Sequence, residues 1–168
     1  MTPPQPANNE LHRVVLTGTI WRLNSSGRYE YLITKRSDKK IFPNKWHLPG
    51  GGMEASDYVN EEPSYKNAES PQWYYAVERA LRREIREEVG LEIEDAKYLL
   101  DVAFIRPDGI PVVVLSYYCK YGSGEVTPDY EDTVDFRWIT VDEVDDFDFI
   151  KGIEDEIRMV EERLTKQA

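Results

Sequence analysis

Three glutamates crowd the stretch REIREEVGL: Glu84, Glu87 and Glu88, with Gly90 close behind. On a helix they stand at i, i+3 and i+4, so their carboxylates project from one face, a few ångströms apart. Unpaired like charges at that spacing destabilise a helix. The plain reading is a solvated acidic face relieved by Arg82, Arg83 and Arg86. A chemical reading comes from Pro49-Gly50-Gly51-Gly52 upstream, where glycine tolerates the needed dihedrals and has no side chain to keep a ligand from backbone carbonyls. Three hard carboxylates plus a carbonyl oxygen are the donor set that Mg²⁺, or alternatively Mn²⁺, prefers, usually with several waters retained. Such a site would bind a pyrophosphate through metal.

A helix and a sharp turn must hold these groups, and the pattern supplies both. Ala76, Ala80, Leu81 and Ile85 recur at three- and four-residue steps, which predicts a helix from Trp73 to Val89 ending at Gly90. Lys45–Leu48 reads as a short strand entering the glycine turn. Before it, the β-branched run Arg13–Trp21 and the run Tyr29–Arg36, joined through Asn24-Ser25-Ser26-Gly27, predict a hairpin. After the helix, Lys97–Ile105 and Pro111–Tyr121 are strands joined by the turn Arg106-Pro107-Asp108-Gly109, and Val134–Ile139 is a further strand. Val141–Val144 suggests a helical turn, and Phe149–Thr165 has the spacing of a closing amphipathic helix. Strands mixed with two long helices, without strict alternation or internal repeat, indicate an α+β fold, an α/β/α sandwich rather than a doubly wound sheet.

The 168 residues suffice for one domain with a substantial core, expected over 11–168 behind a Pro/Asn-rich tail at 1–10 that reads as disordered. A net charge of −11 gives no basic footprint for long nucleic acid or an anionic membrane. Cys119 is the single cysteine and cannot form an internal disulfide. No apolar run reaches the roughly 18 residues of a membrane span, and MTPPQPANNE has neither the basic nor the apolar region of a signal peptide. A cytoplasmic soluble protein is the expectation.

REIREEVGL resembles the second half of the Nudix hydrolase box, and WHLPGGGME resembles its first half. The likeness extends to the opening hairpin, the Trp-x-Leu-Pro-Gly-Gly entry, the strand pair after the box, and Glu131-Asp132 shortly before Trp138; it covers most of residues 12–165. The resemblance implies a Nudix-type α/β/α sandwich with a mixed central sheet. It also implies metal-dependent hydrolysis of a pyrophosphate bond in a nucleoside diphosphate linked to another moiety, such as a nucleoside triphosphate, ADP-ribose or a nucleotide sugar. By that likeness Glu84, Glu87, Glu88, the Gly50 carbonyl and Asp132 are metal ligands, and Arg83 orients Glu84 or Glu87. The general base is Glu84 or an acid of the later loop, Glu131 or Asp132, of which Asp132 fits best by its spacing to Trp138; a merely acidic loop is the alternative for both. A nucleotide-derived small molecule is the expected partner, and a homodimer is an option because dimers are common in the family.

Two departures stand out. The family places its second glycine 14 positions before the arginine, whereas Gly51 to Arg83 is 83 − 51 = 32, an excess of 18. The added stretch, at about 56–71, is polar and proline-containing. It is expected as a surface loop, either a lid or specificity loop beside the site or a tolerated insertion. The position eight before Arg83, usually a glutamate that supports the arginine, is Tyr75; Asp57 or Glu78 are the candidate substitutes. Elsewhere His47 lies beside the glycine turn and is either structural or turned to the cleft. Trp21, Tyr31, Trp46 and Phe104 are either core or base-stacking aromatics. Cys119 reads as a small buried residue, and Pro107 as part of a hairpin turn, with a faint likeness to a proline of ADP-ribose-cleaving members. Two other functions stay open: a nucleotide sensor that keeps the fold without cleaving, and an acidic interaction domain whose glutamates are only surface charge.

Overall fold

In the computed structural model, residues 10–66 and 70–167 are described. The tail expected at 1–10 lies, Glu10 apart, outside them. The elements are β1 (Arg13–Leu23), β2 (Tyr29–Arg36), β3 (Trp46–His47), β4 (Gly50–Gly52), α1 (Ser56–Val59), α2 (Ala76–Val89), β5 (Glu92–Ile105), β6 (Pro111–Ser123), β7 (Thr133–Ile139), a 3₁₀ turn (Val141–Asp146) and α3 (Ile153–Gln167).

The seven strands form one mixed sheet in which β1 is the hub. It runs parallel to β6 from Arg13↔Val112 to Trp21↔Lys120. On its other edge it forks. Trp21–Leu23 pair with β2, and Val15–Thr17 pair with β4 in the register Val15↔Gly52, Leu16↔Gly51, Thr17↔Gly50. β7 and β3 add to β2, and β5 closes the far edge against β6.

Alternation along the strands feeds two apolar layers, because successive side chains point to opposite faces. Leu16, Ile20, Leu32 and Cys119 pack under Ala80, Leu81, Ile85 and Val89 of α2. Tyr31, Ile33, Leu48 and Tyr118 pack under Ile157, Val160 and Leu164 of α3. The result is the α+β architecture expected, an α/β/α sandwich with two main helices. Gly18 lets α2 sit close, since a Cβ there would meet the Ile85 Cδ1 at 3.0 Å. Burying Ile85 so completely makes its truncation to alanine cost about 2–5 kcal/mol. Among the described residues no helix is long and apolar enough to cross a membrane.

Several boundaries moved for physical reasons. α2 starts at Ala76, not Trp73, because Tyr75 sits at φ 60°, a left-handed conformation that cannot continue a right-handed helix. α3 starts at Ile153, not Phe149, after Gly152 at φ 103°. Gly50–Gly52, expected as a bare turn, pairs with β1 as a strand. The stretch at 56–71, expected as loop, holds α1.

Candidate active site and metal centre

α2 aims its acidic face at the fork in β1. Glu84 lies over β4: a Cβ on Gly51 would fall 2.1 Å from Glu84 Oε2, so the missing side chain is what makes room for the carboxylate. Burial raises the Glu84 carboxyl above its ordinary range, although Arg83 pulls the other way.

Glu88 goes deeper. Its side chain is 11% exposed. Its Oε2 accepts the Gly50 N–H at 2.8 Å, and its Oε1 accepts hydroxyl hydrogen bonds from Thr133 at 3.0 Å and Thr34 at 3.3 Å. Burial pushes its carboxyl up to about 7 despite these donors. His47 Nε2 stands 3.6 Å from Oε1. Burial, reinforced by Arg36, drops the imidazole to about 3, so His47 is neutral and the contact is not an ion pair. Thr34 Oγ1 lies 3.1 Å from that same nitrogen, which makes His47 a packing and hydrogen-bonding neighbour of Glu88.

Arg83 organises the rest. Its guanidinium donates to Glu87 Oε2 at 2.7 Å, to the Gly52 carbonyl at 3.1 Å and to both oxygens of Asp57, with Nη2 to Oδ2 at 3.1 Å. Glu84 Oε1 is 3.0 Å from Nη1. The Asp57 side chain is 1% exposed, and the arginine beside it holds its carboxyl below the usual range. Glu87 is 60% exposed and faces solvent.

Asp57 therefore fills the supporting role that the box leaves vacant at Tyr75. Tyr75 is 77% exposed. The other substitute, Glu78, pairs with Arg82 instead. The signal for Asp57 was present in the spacing. The family's glycine and glutamate lie 14 − 8 = 6 positions apart, and Asp57 follows Gly51 by six, so the insertion begins after Asp57 rather than at 56.

The later loop does approach. Asp129 donates its N–H to the Glu88 carbonyl at 2.9 Å, and Thr127 donates to the Val89 carbonyl at 2.9 Å. The side chain it sends to Glu88 is that of Thr133. Asp132 turns to Lys40, Oδ2 to Nζ 2.6 Å, and Glu131 is exposed with its N–H on Asp129 Oδ1. Thr34 and Thr133 were missed because a lone hydroxyl carries no spacing signature. Arg36 was missed too. It is half-buried, donates Nε–H to the Ile41 carbonyl at 2.8 Å, and adds positive charge near Glu88 and His47.

Gly50, Glu84, Glu87 and Glu88 are thus brought together, while Asp132 and Glu131 stand outside that group. Among the described residues no three acidic, histidine or cysteine side chains converge as a ready-made metal cage. The donors still fit a hard divalent cation. They are carboxylate oxygens lying beside bare glycine backbone, and Glu88 is a deeply buried carboxylate that, among the described residues, has only the neutral His47 as a basic group within 4 Å.

Residues 13–160 match the NUDIX domain family. Nucleoside triphosphatase NudI of Enterobacter sp. (strain 638) is 33% identical over 129 residues, which is 70% of this chain and 78% of that protein. NAD-capped RNA hydrolase NudC of Stutzerimonas stutzeri (strain A1501) is 33% identical over 67 residues, covering 40% of this chain and 23% of that relative's length. Among solved structures, a MutT NUDIX hydrolase from Burkholderia pseudomallei superposes with a TM-score of 0.64 at 24% identity, covering 90% of this chain and 99% of the other. The NUDIX domain of Shewanella oneidensis NrtR, solved with ADP ribose, gives 0.69 at 15% identity over 92% and 90%. Likeness at these identities shows the fold; the match along the sequence shows more. With the box residues gathered on α2 and β4, the chain belongs to the Nudix hydrolase family.

Proposed function

We propose that this protein hydrolyses a pyrophosphate bond that joins a nucleoside to another phosphate-bearing group, with Mg²⁺ as the resident ion and Mn²⁺ as a substitute. The Arg83–Asp57 clamp carries this reading. It holds Glu84 and Glu87 beside the Gly50–Gly52 backbone in a geometry that a surface-charge role does not require.

Glu84, Glu87, Glu88 and the Gly50 carbonyl are the groups that would hold the ion. When bound, the ion would neutralise charge on the phosphates and lower the pKa of a coordinated water. Arg83 keeps Glu84 and Glu87 from repelling one another and fixes their direction. Glu84 is the general base: burial already raises its proton affinity, and among the described residues its ion-pair partner is Arg83. Glu88 is less suited to moving protons, since Gly50, Thr34 and Thr133 already occupy its oxygens. Asp132 is less suited because Lys40 holds it.

The names of two relatives, a nucleoside triphosphatase and an NAD-capped RNA hydrolase, share one chemical element, a pyrophosphate attached to a nucleoside. That shared group is the substrate class proposed. The test is phosphate release, with added pyrophosphatase, from nucleoside triphosphates, ADP-ribose and nucleotide sugars with and without Mg²⁺, for the parent, Glu84→Gln and Glu88→Gln. Metal-dependent turnover that collapses in both variants supports the reading. Nucleotide binding without turnover on any compound would make the protein a sensor; absence of both metal binding and nucleotide binding would leave the glutamates as surface charge.

A further inference from the structure

β5 is the last strand of the sheet, and its 14 residues have no neighbouring strand on their outer edge among the described residues. A bare edge offers unpaired N–H and C=O groups to any strand that can reach them, so folded proteins blunt such edges with bulges, charges or covering groups. The two halves of β5 differ in this respect. From Glu92 to Leu99 the ladder to β6 slips between Glu94 and Lys97 and again between Tyr98 and Leu100, Asp95 sits at φ 48°, and Lys97 adds a charge. Arg163 on α3 also donates to the Tyr98 and Leu99 carbonyls, each at 3.2 Å. Beyond that cap the pairing runs unbroken from Leu100↔Ser116 to Ile105↔Pro111.

The open half reads Leu100-Asp101-Val102-Ala103-Phe104-Ile105, apolar but for Asp101, whose carboxylate accepts the Tyr98 hydroxyl. β-branched and aromatic residues of this kind favour strand pairing. Val102 is 43% exposed and Phe104 38%, and Asp101 and Ala103 are exposed as well. We propose that this edge pairs antiparallel with the same segment of a second copy of this chain, Leu100–Phe104 against Phe104–Leu100, so that two sheets join into one across a two-fold axis at Val102.

Symmetry and chemistry select both the partner and the register. A two-fold axis that sets identical strands antiparallel stands perpendicular to the sheet, so paired residues share a face and the axis must fall at a residue. Centred on Val102, the apolar row Leu100, Val102 and Phe104 meets the partner's Phe104, Val102 and Leu100, and Asp101 faces the partner's Ala103. Centred on Asp101, two carboxylates would stand directly opposite each other, which is destabilising. Centred on Ala103, Leu100 would face the partner's Arg106, and Asp101 the partner's Ile105. Arg163 ends the ladder on each side, because it already holds the Leu99 carbonyl that would follow Leu100. The opposite end of the sheet is the two-residue β3, and an isologous contact closes at a dimer instead of propagating. Glu84 and the β4 backbone lie across β6 and β1 from this edge, so the pairing leaves them clear.

So short a ladder makes a small interface, below about 1,200 Å², and association in the micromolar range is expected. Sedimentation velocity of the parent from about 5 µM to about 500 µM should show monomer giving way to dimer as concentration rises. Amide hydrogen exchange within Leu100–Phe104 should slow over the same range, since the pairing is made by backbone groups. Val102→Lys and Val102→Glu each set like charges opposite one another and should weaken the dimer roughly tenfold or more, while both variants melt near the parent because the side chain is exposed in the single copy. An equimolar mixture of the two variants sets opposite charges across the axis and should recover association close to the parent's. Leu23→Lys, at an exposed apolar position on the β1–β2 hairpin, should leave the dimer unchanged. A parent that stays monomeric throughout overturns the proposal and frees the edge for a strand of another protein. A dimer that survives Val102→Lys, a mixture of the two charge variants that stays monomeric, or equal sensitivity to Leu23→Lys overturns it as well.

Discussion

Replacing Asp57 with asparagine removes the charge that anchors Arg83 and leaves the shape almost unchanged. Asp57 is 1% exposed and Arg83 25%, so solvent screens the pair weakly. Hydrogen bonds to a charged partner contribute about 1.5–3 kcal/mol net. Two are at stake here, but Asn keeps one acceptor, and Arg83 keeps Glu84, Glu87 and the Gly52 carbonyl, so no charge is orphaned. The expected loss is about 2 kcal/mol, which for a chain of this size lowers Tm by about 4–8 °C. Because the arginine then aims Glu84 and Glu87 less well, the concentration of Mg²⁺ needed for half-maximal hydrolysis should rise and kcat/KM should fall about 10–100-fold.

Thermal melts by circular dichroism and a Mg²⁺ titration of phosphate release read both effects. Asp57→Glu, which restores the side chain usual in the family, should return most of each. The sign with pH is fixed by Arg83 lowering the Asp57 carboxyl. Its contribution is full above the unfolded value of about 3.9 and is lost as pH falls through the lower folded value, so parent and Asp57→Asn should converge in acid. If Asp57→Asn melts and titrates like the parent, or if Glu78→Gln reproduces its losses, the clamp is misassigned.

Gly51→Ala should barely change stability, since the new methyl meets the movable end of Glu84, but it should cost about 100-fold in kcat by pushing that carboxylate away; normal turnover by the variant would count against Glu84 as the base. Thr133→Val keeps the shape and deletes the 3.0 Å hydrogen bond to Glu88, so a loss of about 1–2 kcal/mol is expected in denaturant titrations, while an unchanged midpoint would mean Glu88 needs no such donor. Glu156→Gln should gain about 1 kcal/mol at neutral pH. Burial raises the folded carboxyl above its unfolded value of about 4.3, so the parent's stability is fullest below that value and falls as pH rises through the folded one, and melts at pH 4 and pH 8 should show the variant's advantage only at the higher pH.

Much of this was legible because it is local. The three- and four-residue rhythm through Ala80, Leu81 and Ile85 fixes which face of α2 is buried, and Glu84 and Glu88 stand on that sheet-facing side while Glu87 turns to solvent. Gly90, at φ 72°, stops the helix as its position suggests. Partnerships made across the sheet were not legible. Nothing near Gly50–Gly52 says that it will pair with Val15–Thr17, and without that pairing the closeness of Thr17 and Ser116 to the site is invisible. Of the four aromatics, Tyr31 and Trp46 went into the core and Trp21 packs against it, whereas Phe104 stays 38% exposed. Asp132 shows the limit of spacing arguments: the loop arrives where expected, but Lys40 takes the carboxylate and the next residue, Thr133, takes Glu88.

Splitting the box costs less than its length suggests. Between Asp57 and Arg83 stand 83 − 57 − 1 = 25 residues, where the family has seven. Loop-closure entropy grows only as (3/2)RT ln n, so the longer connection adds about 1 kcal/mol. The Asp57–Arg83 pair, at about 2 kcal/mol, outweighs that by itself. The insertion also shortens its own free length. Tyr65 and Gln72 exchange backbone hydrogen bonds at 3.2 and 3.1 Å, and Tyr74 N–H donates to Ser64 Oγ at 3.1 Å. Near its root, Trp73 Nε1–H reaches the Glu61 carbonyl at 2.8 Å and its ring meets Tyr58 at 5.5 Å. The entry and exit of the loop are therefore cinched beside α1, and α1 carries Asp57. A chain in which the insertion had fallen before the aspartate would have had to position the arginine's partner from the far end of a long loop. Here the partner is tied to β4 by Glu54 N–H, which donates to Asp57 Oδ2 at 2.7 Å two residues after Gly52, so both halves of the clamp stand on rigid elements and only the connection between them has grown.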